Sequence, residues 1–212
     1  MKRLGLWFFA MCLVLQAQTS NWNRIDILCI VRDAQGRPVT NLSKDRFQIL
    51  DAGESRAILE FSRPTDRPQI ETVSDGPNIY QDVYLAIMRK FSNSGQRKIL
   101  VIEDKPTLRN PNPLPLVRRW ELILLAERRG VIVYVLASGK DAPSADIAEQ
   151  TGGRVVASER DIHADLAAEY RIVAQPPPHH AIAGAFNAVE VRAGGLRVQA
   201  PHSYYITPPW AD

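Results

Sequence analysis

Apolar residues recur along this chain in two periods, and the switch between them divides it. From 24 to 32 alternate side chains of Arg-Ile-Asp-Ile-Leu-Cys-Ile-Val-Arg would share one face of an extended segment, and Asp33, Gly36 and Pro38 end it with turn chemistry. Ser43 can cap a single helical turn through Phe47. Strand character resumes over 47–50, Asp51-Ala52-Gly53-Glu54 turns the chain, and 57–61 reads as another strand. Between 63 and 78 the composition shifts to Pro64, Thr65, Asp66, Pro68, Ser74, Asp75, Gly76 and Pro77, which predicts a linker and a boundary.

Behind Pro77 the period lengthens. Ile79, Val83, Ile87 and Phe91 recur every fourth residue, the signature of one helix face. Residues 98–102 are a continuous apolar run of the kind that fills a strand buried on both faces. The alternation then repeats. Leu116, Trp120, Ile123 and Leu124 form the apolar face of a second helix stopped by Gly130, and 131–136 is a second buried strand. Residues 143–150 read as helix, 151–153 as a turn and 154–156 as a short strand. This spacing predicts a parallel sheet with right-handed crossovers. Ser158 and Asp161 resemble a capping pair for a further helix with Ile162 and Leu166 facing inward. Strands return at 170–174, 188–192, 196–199 and 203–206. Each end is too small to stand alone. The expected fold is therefore α/β, with a parallel-sheet domain over 75–169 inserted into a sandwich-like antiparallel β unit built from both chain ends, 22–63 and 170–207.

The first 17 residues read as an export signal. Lys2 and Arg3 supply the positive end, 4–15 is uncharged and apolar, and small Ala17 precedes the expected cut. A membrane span needs about 20 apolar residues, and polar Gln16, Gln18, Thr19, Ser20 and Asn21 follow too soon. The expected location is extracytoplasmic, with no membrane span after signal removal. Without the leader the chain keeps 24 basic against 23 acidic side chains and a single cysteine, Cys29, so no internal disulfide can form. The short pairs Arg118-Arg119 and Arg128-Arg129 lie in an apolar helical pattern and do not make the basic stripe of a nucleic-acid binder.

Candidate chemistry is sparse. There is no glycine-rich phosphate loop, nucleophile elbow or zinc-spaced Cys/His cluster. Adjacent His179 and His180 would point to opposite sides of an extended chain, so they read as a surface loop after three prolines. Glu103 and Asp104 stand just past an apolar strand, and ligands of open α/β sheets bind at the carboxyl ends of strands. Trp120 reads as core, and Trp210 either as an exposed anchor for a partner or as a side chain folded over the β unit.

The order of segments resembles the VWFA-related family of exported bacterial proteins of acidobacterial type. The pieces are Ile30-Val31-Arg32-Asp33-Ala34-Gln35-Gly36-Arg37-Pro38-Val39, then Asp45-Arg46-Phe47, Leu59-Glu60-Phe61-Ser62 and Ile79-Tyr80-Gln81-Asp82. The strand ending in Glu103-Asp104 follows, with Arg129-Gly130-Val131, Ile147-Ala148-Glu149-Gln150-Thr151-Gly152-Gly153-Arg154 and Val189-Glu190-Val191-Arg192 after it. The resemblance implies a von Willebrand factor type A-like domain, which holds a divalent cation through an Asp-x-Ser-x-Ser loop, a Thr and a later Asp. This chain has no Asp-x-Ser-x-Ser, its first strand and helix look deleted between Pro64 and Asp75, and Asp75-Gly76-Pro77 replaces the segment that carries the Thr. Asp104 alone matches a ligand position. The expectation is a shortened, metal-free, non-catalytic interaction module without a cofactor. Its expected partner is an extracytoplasmic protein, with a homodimer through an exposed sheet edge as a further possibility, and Glu103, Asp104 and Trp210 as candidate contacts. The competing reading is a metal-dependent binding protein or hydrolase using Asp104.

Overall fold

The computed structural model describes residues 24–74, 79–91, 96–104, 117–137, 142, 144–175 and 185–205. The antiparallel strands near the amino end are β1 (Ile25–Arg32), β2 (Phe47–Asp51), β3 (Glu54–Arg56) and β4 (Ile58–Ser62). The middle of the chain runs β5 (Gln69–Ser74), α1 (Ile79–Arg89), β6 (Lys98–Glu103), α2 (Arg119–Arg129), β7 (Val131–Leu136), α3 (Ala145–Gln150), β8 (Val155–Val156) and α4 (Glu159–Ala167). Four more strands close it: β9 (Tyr170–Ala174), β10 (Phe186–Ala193), β11 (Arg197–Gln199) and β12 (Ser203–Tyr205).

The protein is a mixed α/β structure with two antiparallel sheets, ordered β11-β1-β9-β4 and β12-β10-β2-β3, and one parallel sheet, ordered β5-β6-β7-β8. Strict alternation in β1 sends Ile25, Ile27, Cys29 and Val31 to the space between the antiparallel sheets. There they meet Phe47 and Ile49 of β2, Tyr170 and Ile172 of β9, and Val189 and Val191 of β10. Phe47, Phe61 and Tyr170 pack ring to ring with centroids 5.1–5.5 Å apart. The Tyr170 hydroxyl donates to Val39 O at 2.8 Å and accepts from Leu42 N–H at 3.0 Å, which ties the loop after β1 to the core.

The central strands of the parallel sheet are buried on both faces, which is why they read as unbroken apolar runs. Leu100, Ile102, Val133 and Val135 face Val83 and Ile87 of α1, Leu122 and Ala126 of α2, and Ile147 of α3. On the other side Ile99, Val101, Ile132 and Tyr134 meet Ile162 and Leu166 of α4, and Leu28 reaches them from the outer face of β1. One antiparallel sheet thus covers part of the parallel sheet. Gly130, in the left-handed conformation at φ 63°, ends α2 as its position required. Ser158 N–H and Oγ both donate to Asp161 Oδ2 at 3.0 and 2.8 Å, and Asp161 N–H donates back to Ser158 O at 3.1 Å where α4 starts.

Two expectations are corrected. The supposed linker contains β5, paired in parallel with β6 from Gln69↔Lys98 to Ser74↔Glu103, so the parallel sheet starts before Asp75. As an edge strand β5 buries little, and its weak period-two alternation is hidden among prolines. Trp120 is 53% exposed and not core, because α2 turns Leu122 and Ala126 inward. The signal segment, His179, His180 and Trp210 lie outside the described residues. No helix among the described residues is long and apolar enough to cross a membrane.

Candidate interaction site

The carboxyl end of the parallel sheet brings three residues of the sequence argument together. Ser74 at the end of β5 donates its hydroxyl to Glu103 Oε2 at 2.8 Å, across the register that pairs the two residues. Asp104 continues β6 by one residue, its N–H donating to Leu136 O of β7 at 2.9 Å, and its Oδ1 is shielded from solvent. Glu103 and Asp104 are both half-buried. Among the described residues, no three His, Cys, Asp or Glu side chains are grouped to hold a metal ion. His163 and His202 make no side-chain hydrogen bond, and Ser203 donates to Glu127 Oε2 at 2.7 Å, so no described serine is paired with a histidine base. Burial pushes the Cys29 thiol up to about 12, with the charge of Glu169 adding to it, and that keeps the thiol protonated and inert.

A concavity lies elsewhere, where the antiparallel and parallel layers meet, a cleft of about 380 Å³. The outer face of β1, β9 and β4 forms one wall, and the carboxyl end of α2 with β12 forms the other. Its rim alternates charge. Arg24 bonds Glu60 at 2.6 Å, and Arg171 Nε bonds Asp26 at 3.0 Å. The Arg128 guanidinium lies over the Tyr205 ring, 5.3 Å from its centroid. Burial raises Glu127 above the usual carboxylate range, against the lowering effects of the Ser203 hydroxyl and the His202 charge. Lys98 Nζ donates to Arg129 O at 3.1 Å and so satisfies one of the last carbonyls of α2.

Beside this cleft, the layers are joined by ion pairs that the sequence did not disclose. Asp165 on α4, fully buried, accepts from Arg154 Nε at 2.7 Å and from Arg32 of β1. Glu169, 2% exposed, accepts from Arg97, which also bonds Asp66 at 3.1 Å. Burial raises Asp66, but the bonds from Arg97 outweigh it and hold the carboxyl below its ordinary range. Burial, with the charges of Asp165 and Glu169 behind it, pushes the Tyr134 hydroxyl above its ordinary range. The turn after α3 packs equally tightly: Thr151 Oγ1 accepts from Val133 N–H at 3.1 Å and lies 2.9 Å from Ile147 O, and Gln199 Nε2 donates to Gly152 O at 2.9 Å. The only advance signal for this turn was the Thr151-Gly152-Gly153 sequence itself.

No family model matches the chain, and no curated protein and no solved structure is significantly similar to it.

Proposed function

We propose that this protein is an exported, non-catalytic protein-interaction module whose parallel-sheet layer is a shortened, metal-independent relative of the von Willebrand factor A domain. The observation that carries the reading is the cleft between the layers. Its mixture of guanidinium groups, carboxylates and the Tyr204 and Tyr205 side chains is the composition found at protein recognition surfaces, where arginine and tyrosine are enriched. The sheet order β5-β6-β7-β8, with α1, α2 and α3 on one face, supports the relationship to the A domain, and the leader-like first 17 residues support export.

The test is partner capture from an extracytoplasmic extract with the full chain, alongside Arg128→Ala and Tyr205→Ala variants. Enrichment of a defined protein that falls at least tenfold in the variants is expected. Failure to enrich anything over a denatured control would count against the reading.

A further inference from the structure

Among the described residues six strands end the three sheets, and five of them are poor templates for another chain. β3, β11 and β12 have three residues each and β8 has two. β4 has five, but its register shifts between Ile58 and Glu60. Short strands and bulges are the usual devices that blunt a sheet edge. β5 has neither. It runs six residues in unbroken register with β6 and carries a large apolar side chain, Ile70, at 40% exposure.

The backbone of β5 is also ordered for pairing. Gln69 N–H donates to Arg97 O at 2.8 Å, so Gln69, Glu71 and Val73 turn their polar backbone groups toward β6. Ile70, Thr72 and Ser74 therefore turn theirs to the open side. All three are exposed. The one charge on the strand, Glu71, is held by Lys90 Nζ at 3.5 Å beside the helix layer, so the strand itself sets no charge toward the open side.

We infer that β5 pairs antiparallel with β5 of a second copy of this chain about a twofold axis at Thr72. In that register Thr72 exchanges both backbone bonds with the partner's Thr72, and Ile70 lies opposite the partner's Ser74. The sum of the paired numbers is even, so both copies keep the same sheet face on the same side, and the two four-stranded parallel sheets become one continuous eight-stranded sheet. Paired β-branched residues favour such contacts. The inference rests on the interaction-module reading in that it gives the module one partner, and it fails separately from it.

The test is analytical ultracentrifugation of the full chain over a hundredfold concentration range. A reversible monomer–dimer equilibrium is expected. Thr72→Pro removes an outward N–H without touching the β6 ladder, and it should weaken dimerisation at least tenfold with little change in melting temperature. In a Cys12→Ser background, Thr72→Cys should form a disulfide-linked dimer at least fivefold faster than Glu71→Cys, whose position faces the partner's Val73; buried Cys29 does not compete. A monomer at every concentration, a dimer unaffected by Thr72→Pro, or equal cross-linking at 71 and 72 would each overturn the proposal, and the cysteine pair decides it if the proline variant does not fold. A monomer would leave partner capture by the cleft unaffected.

Discussion

Arg97 Nη1 stands 2.7 Å from Glu169 Oε2, joining the start of β6 to the residue just ahead of β9. The carboxyl is deeply buried, and burial pushes it up to about 7 from an ordinary 4.5, although the bond and charge of Arg97 oppose the shift; Asp66 and Asp165 add to it. Arg97, Asp66, Asp165, Tyr134 and Cys29 all face this group.

The sign of the pH effect follows from proton binding. Between pH 4.5 and 7 the folded chain keeps the Glu169 proton and the unfolded chain releases it, so stability from this group falls as pH rises through that window. Glu169→Gln mimics the protonated form. Its stability relative to the native chain should improve between pH 5 and pH 8 by an amount on the order of 1–3 kcal/mol. Urea titrations at the two pH values measure this, and a difference that does not change with pH would refute it.

Asp165 neutralises two guanidinium groups at once, Arg32 from β1 and Arg154 from just ahead of β8. Removing the carboxylate would strand both cations where water reaches poorly. Asp165→Ala should cost about 3–5 kcal/mol, the usual result of breaking one side of a buried pair. Denaturant unfolding reads this directly, and a loss below about 1 kcal/mol would mean that solvent already screens the two arginines.

Much of this architecture was legible in the sequence, for a physical reason. β6 and β7 lie in the middle of a sheet covered on both faces, so every residue from Ile99 to Ile102 and from Val131 to Val135 is buried and the run is unmistakable. β5 is hidden in the sequence because only Val73 packs into the helix side while Ile70 and Thr72 face outward. The phase of α2 is ambiguous in the sequence because Leu122, Ile123, Leu124 and Leu125 are consecutive, and four apolar neighbours fit several helix faces. Leu122 and Ala126, four residues apart and both buried, mark the inward stripe. The joint was invisible for a different reason. Arg32 and Asp165 are 133 residues apart, Arg97 and Glu169 are 72 apart, and no local period links such pairs.

Tyr170 offers a narrow test of the antiparallel core. Its ring would be kept in Tyr170→Phe, but Val39 O and Leu42 N–H would each lose their bond to the hydroxyl. A cost of about 1–3 kcal/mol is expected, with faster amide exchange at Leu42. Unchanged exchange there would show that the loop after β1 is held by other contacts.

Gly153 is required for close approach and not for turn geometry. A Cβ at this position would collide with the carbonyl oxygen of Val133 and stand 2.7 Å from its carbon, both backbone atoms of a central strand that cannot move aside cheaply. Gly36 has open space around the same hypothetical atom but a φ of 79°. Gly153→Ala should therefore cost about 3 kcal/mol or more, and Gly36→Ala about 1 kcal/mol. Melting curves of the two variants compare the effects, and equal losses would contradict the steric argument.

The last prediction concerns Asp104, the position that the proposed relationship to the metal-binding A domain would make a ligand. Cations of this kind take about six oxygen ligands or more. Beside Asp104, Glu103 is engaged by the Ser74 hydroxyl, and no third side chain of ligand type is grouped with them among the described residues. Calorimetric titration of magnesium, manganese or calcium into the full chain should give the same dilution heat as titration into Asp104→Ala. Micromolar binding that disappears in the Asp104 variant would sink the metal-independent reading. It would place a cation at the carboxyl end of β6 and move metal-dependent adhesion or hydrolysis ahead of the cleft as the basis of function.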